Sequence, residues 1–236
     1  MGQPYHYGIN LPERCLQLID GLWDQAQNVH GNDRPELGPL TSTFLISMAM
    51  PIINLPIERI ERQIDKPPGY ADDRHISEDT VQAFIDVIRK GSFAAAPFCE
   101  DSAWSFANVR EQPFFNTADG IPNNIAEYLG GDEAREAARN MPASQWISIL
   151  RNALAHGGVA YLDENGRRGH DSPVKMYAFV SGKYGRLECK NGEGKCPSGL
   201  GDLEGLNVLR IKETDFRSFL TKWVDWLRVS HIAAKA

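Results

Sequence analysis

Three polar side chains within one short stretch have the chemistry to act on a phosphate ester. Arg151, Asn152 and His156 lie in the sequence RNALAH, which spans residues 151–156. Arginine offers a permanent planar cation that matches phosphate oxygens, and histidine can both accept and donate a proton near neutral pH. Together, these residue types could cleave a phosphodiester without a metal ion.

The surrounding pattern predicts the helix that must position them. From 143 to 155 apolar residues recur at helical spacing, Pro142 provides a start signal, and Gly157 follows as a stop signal. Arg151 and His156 are five positions apart, which is roughly 140° around a helix and about 7.5 Å along it. A shared ligand therefore requires a long arginine that reaches round the helix, or a second copy of the helix.

A purely structural role accounts for the same residues. Basic side chains in a final helical turn, followed by glycine, are ordinary C-terminal capping chemistry. On spacing alone, Arg151 and His156 could stabilise the helix end without taking part in any reaction.

Two segments carry a resemblance to a known family. The segment RNALAH resembles the signature of the HEPN superfamily, an arginine and a polar residue with a histidine four to six residues after the arginine. The segment 41–60, TSTFLISMAMPIINLPIERI, resembles the second core helix of an uncharacterised bacterial HEPN subfamily. The resemblance extends over roughly residues 11–158. It implies that the arginine and histidine of two subunits meet across a dimer and cleave RNA without metal, leaving a cyclic phosphate.

The fold class follows from this resemblance and from the periodicities. We expect a mainly α protein, a HEPN-like up-and-down helical bundle with a small C-terminal antiparallel β-sheet and a final helix, α+β overall. Residues 1–158 would form the bundle that carries the Arg/His motif. Residues 159–236 would form the sheet and the final helix, packed on the bundle as one structural unit.

Local signals assign the individual elements. Helices are predicted at 11–29, 40–64, 77–91, 132–139 and from Thr214 onward, and strands at 159–162, 174–180, 186–189 and 207–211 with a turn at 164–166. Residues 91–123 show no clean period and are predicted to be an irregular packed excursion. The final helix has too many apolar positions for one narrow stripe, so it is either deeply packed, which we favour, or half of a dimer interface.

Composition favours a large folded unit in the cytoplasm. A chain of 236 residues with 42% hydrophobic content can bury a substantial core. The first ten residues lack a basic stretch followed by an apolar run, so no secretory signal is expected. The most apolar stretch, 44–57, contains Pro51 and Pro56 and fits a kinked buried helix, with Met48 and Met50 in the core, better than a membrane span.

Charge is unevenly distributed along the chain. The net charge of −6 has the wrong sign for a protein that grips phosphate along its surface. Residues 1–150 hold 11 Lys+Arg and 21 Asp+Glu, whereas residues 151–236 hold 14 and 10. Arg167, Arg168 and Lys175 are therefore candidate RNA contacts in the basic half. Tyr161, Tyr177, Phe179 and Tyr184 lie among them as candidate stacking surfaces, or as ordinary strand aromatics on a solvated sheet face.

No cofactor or metal is predicted. Cys189 and Cys196, with His170 nearby, supply too few ligands for structural zinc. On the second helix, a carboxylate of Glu58 or Glu61 could orient His156, although a solvated helix face or an ion pair with Arg59 or Arg62 is favoured for them.

The leading functional hypothesis is a metal-independent endoribonuclease acting as a homodimer. His156 would move protons at the scissile phosphate, Arg151 would neutralise charge on it, and Asn152 would orient Arg151 or donate to phosphate. The alternative is a non-catalytic HEPN-like scaffold that binds a nucleotide, RNA or a protein. The superfamily resemblance also implies a defence or toxin context, with an antitoxin or other regulatory protein as a partner.

Overall fold

The structure, a computed structural model, describes residues 7–31, 34–65, 76–100, 103–111, 114–168, 173–185 and 201–232. Its helices are α1 (Asn10–Asn28), α2 (Thr41–Asp65), α3 (Glu78–Phe84), α4 (Asn123–Gly130), α5 (Asp132–Arg139), α6 (Ala143–His156) and α7 (Glu213–Ile232). Its strands are β1 (His30–Gly31), β2 (Arg34–Pro39), β3 (Trp104–Val109), β4 (Val159–Leu162), β5 (Met176–Tyr184) and β6 (Leu203–Lys212). A π-helix, Ile85–Arg89, continues α3. The strand predicted at 186–189 lies outside the described residues.

One four-stranded antiparallel sheet lies at the centre of the fold. Its strand order is β3-β6-β5-β4, and β1 and β2 form a separate antiparallel pair. In the register, Leu209 of β6 lies between Phe106 of β3 and Phe179 of β5, and Val159 of β4 follows on the far side of Phe179. The α+β class with a small antiparallel sheet and a final helix is confirmed.

The strand β3 differs from the sequence prediction. It lies within the segment 91–123, which was predicted to be irregular, and it pairs with β6 along its whole length. Alternation in the sequence supports a strand here, since Trp104 and Phe106 point to one face of the sheet and Ser105 and Ala107 to the other. The sheet thus takes one of its strands from the part of the chain before residue 158.

The two faces of the sheet pack against different helices. Along β5, Tyr177 and Phe179 face a large core shared with α1, α2, α6 and α7, which we call the bundle core. Ala178 and Val180, which alternate with them, face a smaller core shared with α4 and α5, which we call the second core. This two-sided burial explains why residues 176–180 of β5 form an unbroken apolar run.

Aromatic side chains fill the bundle core around α6. Trp146 is fully buried and stacks on Phe93, with ring centroids 4.4 Å apart, and it meets Trp104 edge to face at 5.0 Å. The final helix contributes the apolar residues Phe216, Phe219, Leu220, Trp223, Val224, Trp226 and Leu227, all of which are buried. The expectation that α7 is deeply packed is therefore confirmed. Burial on this scale fixes α6 firmly, and with it the residues at the helix end.

The helix α2 is long and apolar enough to cross a membrane, but it packs as a core helix. Its residues Ile52, Ile53 and Ile57 are fully or almost fully buried against the other helices. Pro56 has no backbone N–H to donate to the carbonyl of Ile52, and the indole of Trp223 donates to that carbonyl instead at 3.0 Å. The burial expected for this helix from the sequence agrees with this packing. Met50, however, is 40% exposed, so its predicted core position is wrong.

Candidate functional site

The helix α6 carries all three motif residues in its last two turns. Its apolar side chains Trp146, Ile147, Ile149, Leu150, Ala153 and Leu154 are buried in the bundle core. Arg151 and Asn152 are half-buried, and His156 is exposed in the final turn. The packing of α6 therefore leaves the polar motif residues at the edge of the core, where solvent reaches them.

The end of α6 is closed by two glycines with different functions. Gly157 adopts a left-handed conformation with φ +72°, and its N–H donates to the carbonyl of Ala153. Gly158 packs directly against β5, because a Cβ at this position would lie 2.2 Å from the carbonyl oxygen of Val180. The N–H of Val180 donates to the carbonyl of Gly158 at 2.7 Å. The capping role expected for the glycines is confirmed, and it anchors the motif helix to the sheet.

The guanidinium of Arg151 is held by α2. Its Nη1 lies 2.9 Å from Oε2 of Glu61, and the two side chains are 33% and 36% exposed. For Glu58 and Glu61 the sequence favoured a solvated helix face or an ion pair with Arg59 or Arg62. This prediction holds for Glu58, which pairs with Arg62 at 3.1 Å. For Glu61 it is wrong, since its carboxylate pairs with the motif arginine.

Asn152 has a different neighbour. Its Nδ2 lies 3.5 Å from Oγ of Ser181 on β5, which is a long hydrogen bond. Within the described residues no hydrogen bond joins Asn152 to Arg151. In this monomer Asn152 therefore contacts the sheet, while Arg151 contacts α2.

His156 is open to a substrate or a second subunit. Its side chain is exposed, and it has no hydrogen-bond or ion-pair partner in the part of the chain that the structure describes. Neither Glu58 nor Glu61 bonds to it there, so the expectation that a carboxylate orients His156 finds no such contact within one chain. Arg151 reaches from the side of α6 to α2, whereas His156 projects at the end of the helix.

The candidate RNA contacts lie at the opposite end of β4 from the motif. Arg167 and Arg168 are in the loop that follows Leu162, and the backbone N–H of Lys175 donates to the carbonyl of Leu162 at 2.8 Å. The motif precedes Val159, at the other end of the strand, and four extended residues span about 10 Å between the two. The structure therefore does not bring these basic residues together with Arg151 and His156.

Two of these three cations are also paired with carboxylates. Arg167 lies 3.2 Å from Glu127, and Arg168 lies 3.7 Å from Asp119. Lys175 is exposed and has no ion-pair partner among the described residues. The local positive charge is thus smaller than the sequence count suggests.

Burial divides the aromatic residues that were candidate stacking surfaces. Tyr177 and Phe179 are fully buried in the bundle core, so their predicted role as exposed stacking surfaces is wrong. Tyr161 and Tyr184 are 42% and 45% exposed and remain accessible. Alternation along β5 directs Tyr177 and Phe179 to the sheet face that the helices of the bundle core cover.

Sequence reasoning missed one further charged residue. Arg210 lies in the middle of β6 and is only 8% exposed, although it is flanked by the apolar Leu209 and Ile211. A single arginine inside an apolar strand is the signal that could have identified it, because arginine is almost never buried without a partner.

Within the described residues, no group of three or more His, Cys, Asp or Glu side chains is arranged to hold a metal ion. Cys189, Cys196 and His170 lie outside the described residues. The described cysteines, Cys15 and Cys99, form no disulfide, and burial raises the pKa of the Cys15 thiol.

Comparison with known proteins gave no match to a protein-family model, to a curated protein sequence or to a solved structure.

Proposed function

We propose that this protein is a metal-independent endoribonuclease of HEPN type that acts as a homodimer. The observation that carries the proposal is the exposed His156, which has no partner among the described residues and lies at the end of a well-packed helix that also holds Arg151. The sequence resemblance of RNALAH and of residues 41–60 to HEPN proteins supports it. So does the packing of α1, α2, α6 and α7 around one core, which suits a HEPN-like bundle.

The proposed reaction uses the acid–base chemistry of histidine. The imidazole of His156 accepts the proton of a ribose 2'-hydroxyl, and the 2'-oxygen attacks the adjacent phosphorus. The bond from phosphorus to the 5'-oxygen then breaks, and the imidazolium of the opposing subunit's copy of the same histidine protonates the leaving oxygen. The products are a 2',3'-cyclic phosphate and a 5'-hydroxyl. Two histidines are required for this exchange, and each chain supplies one.

Arg151 supplies the positive charge in this mechanism. A guanidinium can bind two phosphate oxygens at once and stabilise the charge that grows on the phosphorane. In the free protein this cation is neutralised by Glu61. RNA must therefore displace Glu61 from Arg151, and the partial exposure of both side chains makes that exchange inexpensive.

A non-catalytic scaffold is the second candidate function, and one observation favours it. Within one chain Arg151 bonds to Glu61 and has no contact with His156 among the described residues. A helix end of this kind can bind an RNA, a nucleotide or a protein without reacting. The two candidates differ in what the purified dimer does to RNA.

The deciding experiment is cleavage of mixed structured and unstructured RNAs in EDTA by the parent, His156→Ala and Arg151→Met. We expect cyclic-phosphate ends from the parent, and a loss of about 100-fold or more in rate in His156→Ala. Arg62→Met removes an arginine that also pairs with a glutamate of α2, and it is the matched control that should retain activity. Size measurement and circular dichroism verify that each variant folds and assembles as the parent does.

Equal cleavage by the parent and His156→Ala would overturn the ribonuclease proposal. Absence of cleavage by the folded parent dimer, with RNA binding that His156→Ala does not alter, would favour the scaffold.

A further inference from the structure

The buried Arg210 lies on the side of the sheet away from the motif. In the register it stands between Ser105 of β3 and Ala178 of β5, and these neighbours face the second core. Its Nη1 donates to the carbonyl of Ala126 in α4 at 3.0 Å. α6 packs on the other face, so this region is separated from Arg151 and His156 by the sheet.

This arginine lacks a compensating negative charge. No carboxylate in the described part of the chain forms an ion pair with Arg210, and its one hydrogen bond goes to a neutral carbonyl. Burial, and then the nearby cation of Arg135, lower the pKa of Arg210, yet arginine stays protonated in proteins. A buried guanidinium that is unpaired is costly, because its charge has been removed from water without replacement.

A cavity opens beside this guanidinium. Its volume is about 370 Å³, within the range of small-molecule sites, and Arg210, Arg135, Ser105 and Lys212 line it. Ser105 is only 5% exposed, and its hydroxyl has no hydrogen-bond partner within the described residues. Two buried polar groups on neighbouring strands therefore border the same space, each with hydrogen-bonding capacity that the protein leaves unused.

Other charged side chains also line the cavity beside Arg210. Arg135 is held by the carboxylate of Asp132 and donates to the carbonyl of Gly130 at 2.9 Å. Of the carboxylates that line the cavity, Glu127 pairs with Arg167 at 3.2 Å. Glu164 and Asp215 also line it, and neither forms an ion pair with Arg210 or Lys212. An incoming anion would thus meet no competing carboxylate on Arg210 among the described residues.

A glycine permits this arrangement. Gly166 has φ +72°, and a Cβ there would lie 2.3 Å from Nη1 of Arg210. Its N–H donates to the carbonyl of Asp163 at 3.1 Å, which closes the turn after β4 over the guanidinium. The turn and the arginine therefore fit together only with glycine at this position.

We propose that this cavity binds the oxyanion group of a small molecule, a phosphate or a carboxylate, with Arg210 as its main ligand and the Ser105 hydroxyl as a second donor. Guanidinium groups bind both oxyanions through paired, charge-assisted hydrogen bonds. The bound anion supplies the negative charge that the buried arginine lacks. The site lies on the opposite sheet face from the motif, so it does not depend on the ribonuclease proposal.

The test measures thermal stability and calorimetric binding with inorganic phosphate alone and with acetate alone, each at millimolar concentration and at ionic strength matched with chloride. The parent should be stabilised by at least one of the two anions, and the stronger response identifies the oxyanion class. Arg210→Met should bind about tenfold or more weakly. Arg228→Met, which removes an exposed arginine of α7 paired with Asp225, should bind as the parent does.

Two further results separate binding from a purely structural role. Without added anion, Arg210→Met should melt at the same temperature as the parent or higher, because an unpaired buried charge has been removed. Ser105→Ala keeps the arginine and should weaken anion binding severalfold; it decides the question if Arg210→Met does not fold. No response of the parent to either anion, or an unchanged response in Ser105→Ala and Arg210→Met, would overturn the proposal.

Discussion

Arg151 donates from its guanidinium to the carboxylate of Glu61, with 2.9 Å between Nη1 and Oε2. The two residues are 90 positions apart in the chain and join α6 to α2. The only motif cation with a permanent charge is thus neutralised before any substrate arrives. A phosphate group must therefore compete with Glu61 for Arg151.

Glu61→Gln should increase the affinity of the protein for RNA. Because Glu61 competes with phosphate for Arg151, its neutral isostere should lower KM on the order of twofold to fivefold. The free energy of unfolding should fall by less than about 1 kcal/mol, since the pair is one-third exposed. Steady-state cleavage and urea denaturation measure the two quantities.

Glu58→Gln is the matched control, because it makes the same charge change on the same helix but affects Arg62. Its KM should equal that of the parent. A higher KM in Glu61→Gln, or an equal decrease in both variants, would show that the Arg151 pair does not restrain RNA binding.

The two glycines after α6 should tolerate alanine differently. In Gly157→Ala the new Cβ has free space around it. The free energy of unfolding should therefore fall only by the cost of a left-handed backbone at alanine, about 1 kcal/mol. Gly158→Ala drives a Cβ to 2.2 Å from the carbonyl oxygen of Val180 and should cost about 1 to 3 kcal/mol more. Urea denaturation of both variants tests the contrast, and equal losses would mean that α6 is not anchored to β5 at this contact.

Trp146 and Trp223 are both fully buried but differ in their hydrogen bonding. Trp223 donates to the carbonyl that Pro56 leaves free on Ile52, whereas Nε1 of Trp146 is buried with no hydrogen-bond partner among the described residues. Trp223→Phe should therefore lower the free energy of unfolding by about 1 to 3 kcal/mol more than Trp146→Phe does. Chemical denaturation of the pair provides the measurement. A larger loss in Trp146→Phe would contradict the assigned hydrogen bond.

Tyr177 should make the free energy of unfolding fall as the pH rises above about 10. Burial, and then the nearby carboxylate of Glu213, raise the pKa of its phenol far above the ordinary value, and its hydroxyl donates to Glu213 at 2.8 Å. In the unfolded chain the phenol ionises near pH 10, so its contribution is complete below about pH 10 and is lost as the pH rises beyond it. Above that pH, the free energy of unfolding should decrease by about 1 kcal/mol for each pH unit because of this phenol.

Tyr177→Phe should remove this part of the alkaline loss, and Tyr184→Phe, at an exposed position, should retain it. Denaturation curves just below and just above pH 10 give the comparison. If the free energy of unfolding fell equally with pH in the parent and in Tyr177→Phe, the buried phenol would not contribute to the alkaline loss of stability.

Most elements could be predicted because their signals are local. The helix predicted at 132–139 is α5, the one predicted at 143–155 is α6 with one more residue, and the strand predicted at 159–162 is β4. In each, apolar periodicity, a start signal or a glycine stop lies within the element itself. These signals need no distant partner.

The strand β3 and the helix α4 were missed because their conformations depend on distant contacts. Trp104 of β3 pairs with Ile211, about a hundred residues later, and α4 packs against β6, where the carbonyl of its Ala126 accepts a hydrogen bond from Arg210.

The sequence by itself determined that Arg151, Asn152 and His156 share the end of one helix, since helical spacing and the following glycines fix that placement. Only the tertiary structure decided that Glu61 neutralises Arg151, that Glu127 and Asp119 pair with Arg167 and Arg168, and that Arg210 is buried beside a cavity. The physical reason is that charge pairing and burial depend on which distant segments pack together. Local spacing can place side chains on an element, but long-range packing selects their neighbours.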